Sequence, residues 1–156
     1  MPSTDRELVV GVARSDDLPA VRALIIAGLA QRWDGYLHSA NPDLEAFERA
    51  YADALVVAAK RAHVIVGCGI LTAEAPGVGR IVRMSVAADA QRTGVGGKVL
   101  RVLLEHALRL GHTRVVLETT ADWHSAVRFY TRHGFTPTEQ RDGDQHFSFD
   151  LAGYRG

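Results

Sequence analysis

A glycine-rich stretch between an apolar strand pattern and an amphipathic helix pattern most restricts how this chain can fold. Residues 81–86 are mostly apolar and partly β-branched, which is typical of a strand. Beyond Gly97 the apolar residues recur at the i, i+3, i+4 spacing of one helix face: Val99, Leu100, Leu103, Leu104, Ala107 and Leu108. Gly111 follows as the expected residue just past the helix end. The sequence therefore predicts a strand, a short loop and a helix, with glycines at the junction.

Three glycines of this junction, Gly94, Gly96 and Gly97, lie where the helix N-terminus is expected. A helix N-terminus carries N–H groups without intrahelical partners and a partial positive charge, so it favours an anion. Glycine lets the backbone approach an anion closely, and Arg92 and Lys98 add positive charge. The alternative is a tight turn in which the glycines serve packing alone. The glycines and the two flanking cations together favour a phosphate or pyrophosphate ligand.

Two common phosphate-binding motifs do not match this stretch. A Walker-type loop requires Gly where Arg92 stands and Ser or Thr where Val99 stands. A dinucleotide-binding fingerprint also requires Gly in place of Val99. The pattern that matches is Q/R-x-x-G-x-G/A, formed by residues Gln91–Gly96. In this motif the chain resembles the GNAT superfamily of acyl-CoA-dependent N-acyltransferases, in which the loop cradles the pyrophosphate of coenzyme A.

A second motif supports the resemblance, which covers nearly the whole chain from residue 8. The stretch Ser125–Phe135, SAVRFYTRHGF, is similar to the A-x-x-F-Y-x-x-x-G-F helix of the family. The resemblance implies acetyl-CoA as cosubstrate. It would be held by the loop Gln91–Gly96, called the glycine loop below, and by backbone groups of the preceding strand. The implied cofactor-binding residues are Met84, Ser85, Val86, Gln91, Arg92, Thr93, Gly94, Val95, Gly96, Gly97 and Lys98.

Tyr130 is the predicted general acid. Amide formation from a thioester requires a neutral amine, donors for the oxyanion and a proton for the departing thiolate. A phenol can donate a proton at neutral pH, and the position of Tyr130 matches the tyrosine of the family. The alternative is a helix tyrosine that only packs.

The general base is less sharply defined. Some relatives carry a glutamate on the strand before the glycine loop, but residues 79–88 contain none. Glu118, on the following predicted strand, is a candidate base, and equally a strand residue satisfied by solvent or hydrogen bonds. Asp122, His124 and a bound water stay open as alternatives.

Three aromatic residues are candidates for the acceptor site. Trp123 stands where relatives often carry an Asn that contacts the cofactor, so that contact is not carried over. Trp123 is expected to pack on the cofactor or to line the acceptor pocket. Trp33 and Tyr36 lie in a predicted loop at residues 31–43, and loops with aromatic and charged residues often bind ligands. Covering the core is the alternative for both.

The length of 156 residues predicts one domain, residues 1–156, with a loose start at 1–7. The predicted element order is β-α-α-β-β-β-α-β-α-β, with an additional short strand at 137–141. This order favours a mixed α/β (α+β) sheet protein. The resemblance implies a mostly antiparallel central sheet of six to seven strands with helices on both faces.

Composition excludes several classes of function. A formal net charge of zero argues against nucleic acid as a partner. The sequence shows neither an apolar run of membrane length nor a signal-peptide pattern, which predicts a cytoplasmic protein without a membrane partner. Cys68 is the only cysteine and is expected to be a small core residue. The seven histidines lack metal-binding spacing, so no metal is expected.

The leading interpretation is an N-acetyltransferase that transfers an acetyl group from acetyl-CoA to a primary amine by direct attack. Neutral charge and the aromatic loop favour a small-molecule acceptor over a protein N-terminus or lysine. The alternative from another class is a CoA-binding regulatory or scaffold protein without turnover. The sequence also leaves open whether two copies of the chain form a homodimer.

Overall fold

The computed structural model of the protein describes residues 7–33 and 40–154, apart from the Trp33 side chain. The strands are β1 (Leu8–Val12), β2 (Leu55–Arg61), β3 (Val64–Ala75), β4 (Val78–Val86), β5 (Arg114–Thr120), β6 (Thr136–Arg141) and β7 (Asp144–Asp150). The helices are α1 (Leu18–Trp33), α2 (Pro42–Glu45), α3 (Phe47–Ala50), α4 (Val95–Arg109) and α5 (His124–Arg132). Short 3-10 helices lie at Ser15–Asp17 and Ala88–Ala90. The elements follow the predicted order, except that two helices, α2 and α3, stand in place of the second predicted helix, and β6 is the additional strand predicted at 137–141.

The strands form a seven-stranded sheet in the order β1-β2-β3-β4-β5-β7-β6. The pairs β1–β2, β5–β7 and β6–β7 are antiparallel, whereas β4 and β5 are parallel. The parallel pair is expected from its connection, because parallel neighbours require a crossover and α4 provides it. The prediction of a mixed, mostly antiparallel sheet flanked by helices is confirmed.

The chain forms two compact units. The first comprises the residues up to Ile70 together with Arg83–Leu103, and the second comprises Leu71–Val82 with the residues from Leu104 onward. In the first unit β1 pairs with β2 over all five of its residues. In the second unit β5 pairs with β7 over seven residues.

Two glycines of β3 allow helix α4 to lie close to the sheet in the first unit. A Cβ atom built on Gly67 would lie 2.6 Å from Cγ1 of Val95. A Cβ atom on Gly69 would lie 2.6 Å from Sδ of Met84 and 2.7 Å from Cδ1 of Leu103. Because real side chains do not approach this closely, only glycine fits these two positions without a shift of the neighbouring groups.

The predicted apolar face of α4 is largely confirmed. Its buried residues are Val95, Val99, Leu100, Leu103, Leu104 and Ala107. Leu108 continues the predicted spacing but is exposed. Gly111 has φ +87°, as expected for the residue that follows a helix end.

Helix α1 is longer than its sequence suggests. Gly28 is expected to weaken the helix near its end, with a loop from residue 31, but the helix continues to Trp33. A single helical glycine costs only about 1 kcal/mol relative to alanine. The buried residues Val21 and Ile25 anchor the same helix, and this burial offsets that cost.

The second predicted helix is interrupted. The apolar spacing from Leu44 to Tyr51 predicts one helix, whereas the structure has α2 and α3 separated by Ala46, whose φ of −123° is not helical. The Nε atom of Arg22 on α1 donates to the carbonyl of Leu44 at 2.6 Å, so this carbonyl is satisfied from outside the helix. Arg22 and Leu44 are 22 residues apart, so no local sequence pattern predicts this hydrogen bond.

Candidate active site

The glycine loop leads into α4, whose first backbone N–H groups have no hydrogen-bond partner within the helix. The chain turns through residues 91–94, with Arg92 at φ +64° and Gly94 at φ +88°. Helix α4 begins at Val95, and the N–H of Lys98 donates to the Gly94 carbonyl at 3.2 Å. The N–H groups of the three residues between Gly94 and Lys98 precede this bond, so they have no partner within the helix. They are available to an anion.

Side chains of the loop hold its shape. The Thr93 hydroxyl donates to the Ala90 carbonyl at 2.5 Å, and the Gln91 amide donates to the Val86 carbonyl at 3.3 Å. Both residues are predicted to bind the cofactor, and the structure gives their side chains an internal role. A Cβ atom on Gly94 would meet nothing within 4 Å, so its positive φ, and not crowding, is the reason for glycine there.

The remaining loop residues divide into buried and exposed groups. The Val95 side chain is buried beside Gly67, so only its backbone could contact a ligand. Arg92 and Lys98 are exposed and add positive charge next to the helix N-terminus. Free amides, a left-handed glycine and exposed cations in one loop fit a phosphate group.

The strand before the loop uses its side chains for packing. Sδ of Met84 lies beside Gly69, and the Ser85 hydroxyl lies 3.7 Å from the Cβ position of Gly28. Val86 is half-buried, and its carbonyl accepts the loop hydrogen bond from Gln91. The family resemblance implies that backbone groups of this segment, and not its packed side chains, bind the ligand.

A half-buried ion pair next to this segment was missed by sequence reasoning. Nη2 of Arg83 lies 2.7 Å from Oδ1 of Asp43, and Nε of Arg83 donates to Oδ2 at 3.0 Å. Arg83 Nη2 also donates to Oδ1 of Asn41 at 3.1 Å. Asn41 occupies the N-cap position of α2, and Asp43 lies within that helix. The two partners are 40 residues apart, so no local pattern indicates the pair.

Tyr51 extends this cluster. Its hydroxyl donates to Oδ2 of Asp43 at 2.5 Å. Burial and the bond to Asp43 raise the pKa of Tyr51 to about 12. Burial acts to raise the pKa of Asp43, but the hydrogen bonds from Arg83 and Tyr51 hold that pKa below its usual value. The cluster is therefore ionised on Asp43 and neutral on Tyr51 at physiological pH.

Tyr130 lies on α5 with its ring packed among other aromatic rings. The ring centroids of Phe129, Phe135 and Phe147 lie 5.1 Å, 5.8 Å and 5.8 Å from that of Tyr130. Only 9% of Tyr130 is exposed, and burial raises the pKa of its phenol. Within the described ranges the structure assigns its hydroxyl no hydrogen bond. A rigidly packed ring with an uncommitted, protonated hydroxyl suits a proton donor.

Glu118 is engaged by two basic residues in the second unit. Its Oε2 atom accepts a hydrogen bond from Nη1 of Arg80 and lies 3.8 Å from Nδ1 of His146. Arg80 also binds Glu74 through two bonds of 2.9 Å. The hydrogen bonds to Glu74 raise the pKa of Arg80, and the same contact lowers the pKa of Glu74. The printed contacts of both basic partners are with Oε2 of Glu118.

The other predicted site residues differ in how far the structure describes them. Trp123 is 40% exposed and stands at the N-cap position of α5. Asp122 and His124 are exposed beside it. Tyr36 and the Trp33 side chain lie outside the described residues. The loop residues and Met84–Val86 belong to the first unit, whereas Glu118, Trp123 and Tyr130 belong to the second.

The described residues contain neither a metal cluster nor a membrane-spanning helix. In residues 7–33 and 40–154, no group of three or more His, Cys, Asp or Glu side chains is arranged to hold a metal ion. No helix within the same part of the chain has the length and apolar character that crossing a membrane requires.

Comparisons with known proteins identify the family and the fold of the chain. The family model of the acetyltransferase (GNAT) family matches residues 20–135. No curated protein sequence matches the chain. Solved structures share the fold, and a GNAT acetyltransferase from Staphylococcus aureus Mu50 has a TM-score of 0.81 at 16% identity, covering 93% of this chain and 99% of that chain.

Two further neighbours were crystallised with ligands. PaiA N-acetyltransferase from Thermoplasma acidophilum, in complex with coenzyme A, has a TM-score of 0.81 at 12% identity and covers 92% of this chain and 99% of its own. A GNAT acetyltransferase from Elizabethkingia anophelis with acetyl-CoA bound has a TM-score of 0.73 at 16% identity, covering 92% and 97%. At such identities these likenesses concern the fold. The family model spans most of the sequence, and the chain belongs to the GNAT family of acetyltransferases.

Proposed function

We propose that this protein is an N-acetyltransferase that transfers the acetyl group of acetyl-CoA to the primary amine of a small molecule. The observation that carries the proposal is Tyr130, whose ring is packed on several sides while its protonated hydroxyl stays uncommitted among the described residues. A hydroxyl that makes no hydrogen bond to the described residues is free to donate to a bound substrate.

The glycine loop supplies the cosubstrate site in this proposal. The amides at the start of α4 bind the pyrophosphate, assisted by Arg92 and Lys98. Backbone groups of Met84, Ser85 and Val86 bind the pantetheine arm. Gln91 and Thr93 act through the loop shape that their internal hydrogen bonds maintain. The coenzyme A and acetyl-CoA found in neighbouring structures support this choice of cosubstrate.

The reaction is a direct transfer between the two bound substrates. The amine nitrogen forms a bond to the thioester carbonyl carbon, and the carbon–sulfur bond breaks. Tyr130 gives its phenolic proton to the departing thiolate and regains one from solvent. Glu118, or a water molecule that it orients, takes the proton released by the amine. The ion pair with Arg80 fixes the Glu118 carboxylate, while Oε1 holds the incoming ammonium group.

In this proposal three aromatic residues, Trp123, Trp33 and Tyr36, form the binding site for the acceptor amine. Trp123 is exposed and lies within seven residues of Tyr130, at the start of the same helix. Trp33 and Tyr36 are proposed to add apolar area and a hydroxyl to the acceptor site. Neutral overall charge supports a small acceptor over an extended protein surface.

A panel of amines tests the proposal directly. The protein is incubated with acetyl-CoA and small amines, amino acids, or peptides with a free N-terminus or a lysine, and thiol release and product mass are measured. Acetylation of small amines at the highest kcat/KM is expected. A higher kcat/KM for the peptides would show that the acceptor is a protein N-terminus or lysine. Tight coenzyme A binding without any acetylated product would favour the regulatory alternative.

A further inference from the structure

Arg83 has a backbone conformation that is unusual for a non-glycine residue inside a strand. Its φ is +56°, within the left-handed region, although it lies in β4 directly before Met84. Side chains with a Cβ atom avoid this region because of steric repulsion. Such a conformation persists only when surrounding contacts determine it. The contacts that hold Arg83 therefore also set the direction in which the following backbone leaves it.

The Arg83 side chain is held by a bidentate ion pair. Its guanidinium forms two parallel contacts with the Asp43 carboxylate, of 2.7 Å and 3.0 Å. This fork-to-fork geometry fixes direction as well as distance. Both side chains are only about a quarter exposed, at 23% and 25%, so water screens the pair less than it screens a surface pair.

Further bonds orient the Asp43 carboxylate and the Arg83 backbone. Tyr51 donates to Asp43 at 2.5 Å, and its ring packs edge-on against buried Phe47 at 5.3 Å between centroids. The carbonyl of Arg83 accepts a weak hydrogen bond from the Cys68 thiol at 3.7 Å. Arg83 is therefore held at its side chain and at its backbone at the same time.

We propose that Asp43, Arg83 and Tyr51 are positioning residues that hold the β4 backbone at Met84–Val86 in the form that binds the pantetheine arm. This inference rests on the function proposed above. It assigns a role in cosubstrate affinity to a cluster that contributes no group to the reacting atoms. The segment affected follows Arg83 directly in sequence, so the effect requires no transmission through the rest of the protein.

The test compares Asp43→Asn with Glu45→Gln as a matched control. The Asp43→Asn substitution keeps the size of the side chain but removes its charge and one acceptor of the fork. Glu45 lies on the same helix and has an exposed ion pair with Arg22 at 3.4 Å. Calorimetry with coenzyme A and steady-state kinetics are measured for both variants, and circular dichroism confirms folding.

For Asp43→Asn we expect coenzyme A affinity to fall and the KM for acetyl-CoA to rise about tenfold, equivalent to about 1.4 kcal/mol. The kcat at saturating acetyl-CoA should change less than about twofold, and Glu45→Gln should match the wild type. Tyr51→Phe should give a smaller rise of the same kind. A purely structural cluster would instead lower the melting temperature and leave KM unchanged, which would overturn the inference.

A second substitution tests the backbone argument. Glycine adopts positive φ without steric cost, so Arg83→Gly in the Asp43→Asn protein should recover part of the lost affinity. No recovery would overturn the role of the positive φ. If the wild-type protein itself fails to bind coenzyme A, the proposed function fails. Wild-type binding with an unaffected Asp43→Asn variant overturns only this inference.

Discussion

Glu118 and His146 face each other on adjacent strands, with Nδ1 of His146 3.8 Å from Oε2 of Glu118. The same oxygen accepts a hydrogen bond from Arg80. The hydrogen bond from Arg80 fixes the carboxylate, and His146 lies nearby on the same side. In the proposed function this carboxylate captures a cationic amine and assists its deprotonation, directly or through a water molecule.

Glu118→Gln should lower kcat/KM for the amine by roughly tenfold or more, because it removes the carboxylate charge that is proposed to hold the ammonium group. The KM for acetyl-CoA should stay close to that of the wild type. Glu74→Gln is the matched control, since Glu74 also binds Arg80 but lies on β3. If Glu118→Gln is as active as the wild type, Glu118 does not accept the proton of the amine, and Asp122, His124 or water alone would do so.

Gly96→Asp should abolish coenzyme A binding, because a carboxylate would stand among the amides that are proposed to bind the pyrophosphate. Gly96→Ala adds a methyl group without charge and should retain more affinity, which separates electrostatic from steric effects. Isothermal titration calorimetry reports affinity, and circular dichroism reports the fold. Unchanged affinity of the Gly96→Asp protein would remove the loop from the cosubstrate site.

Tyr130→Phe should reduce kcat by roughly tenfold to a thousandfold while coenzyme A affinity stays nearly constant. The ring keeps its contacts with Phe135 and Phe147, so the melting temperature should hold. Tyr154→Phe makes the same change on a ring that packs against Phe149 and should not affect turnover. If Tyr130→Phe turns over like the wild type, Tyr130 is a packing residue.

Cys68 should make the protein less stable at alkaline pH. Burial raises the pKa of its thiol from 9.0 to about 12, so as pH rises the unfolded chain loses its proton before the folded chain does. The contribution of Cys68 to stability is fully present below pH 9.0 and is lost between pH 9.0 and about 12.

Urea unfolding of wild type and Cys68→Ala at several pH values between about 8 and about 11 measures this effect. The variant should be less stable at the lowest pH because its core loses a buried sulfur. Its stability should then fall less steeply with pH, and Tyr51, with a pKa of about 12, accounts for part of the remaining slope. Parallel slopes for the two proteins would show that the thiol does not contribute.

The sequence alone determined the local parts of this protein. The junction from β4 through the glycine loop to α4 was predictable, because helix periodicity, the positive φ of Gly94 and the free amides depend on neighbouring residues. The position of Tyr130 on a short helix was predictable for the same reason. The order of the elements along the chain followed from periodicity and turn residues, and the sheet class followed from the family resemblance.

Only the tertiary structure decided which distant residues meet. The Arg83–Asp43 pair joins positions 40 residues apart, and the Arg80–Glu118 pair joins positions 38 residues apart. The need for glycine at Gly67 arises from Val95, which belongs to a different element. Such contacts depend on how elements pack, and packing energy is summed over many residues. Short sequence patterns therefore predict which segments form the loop and the helix of Tyr130, whereas the tertiary structure decides which charged residues form ion pairs.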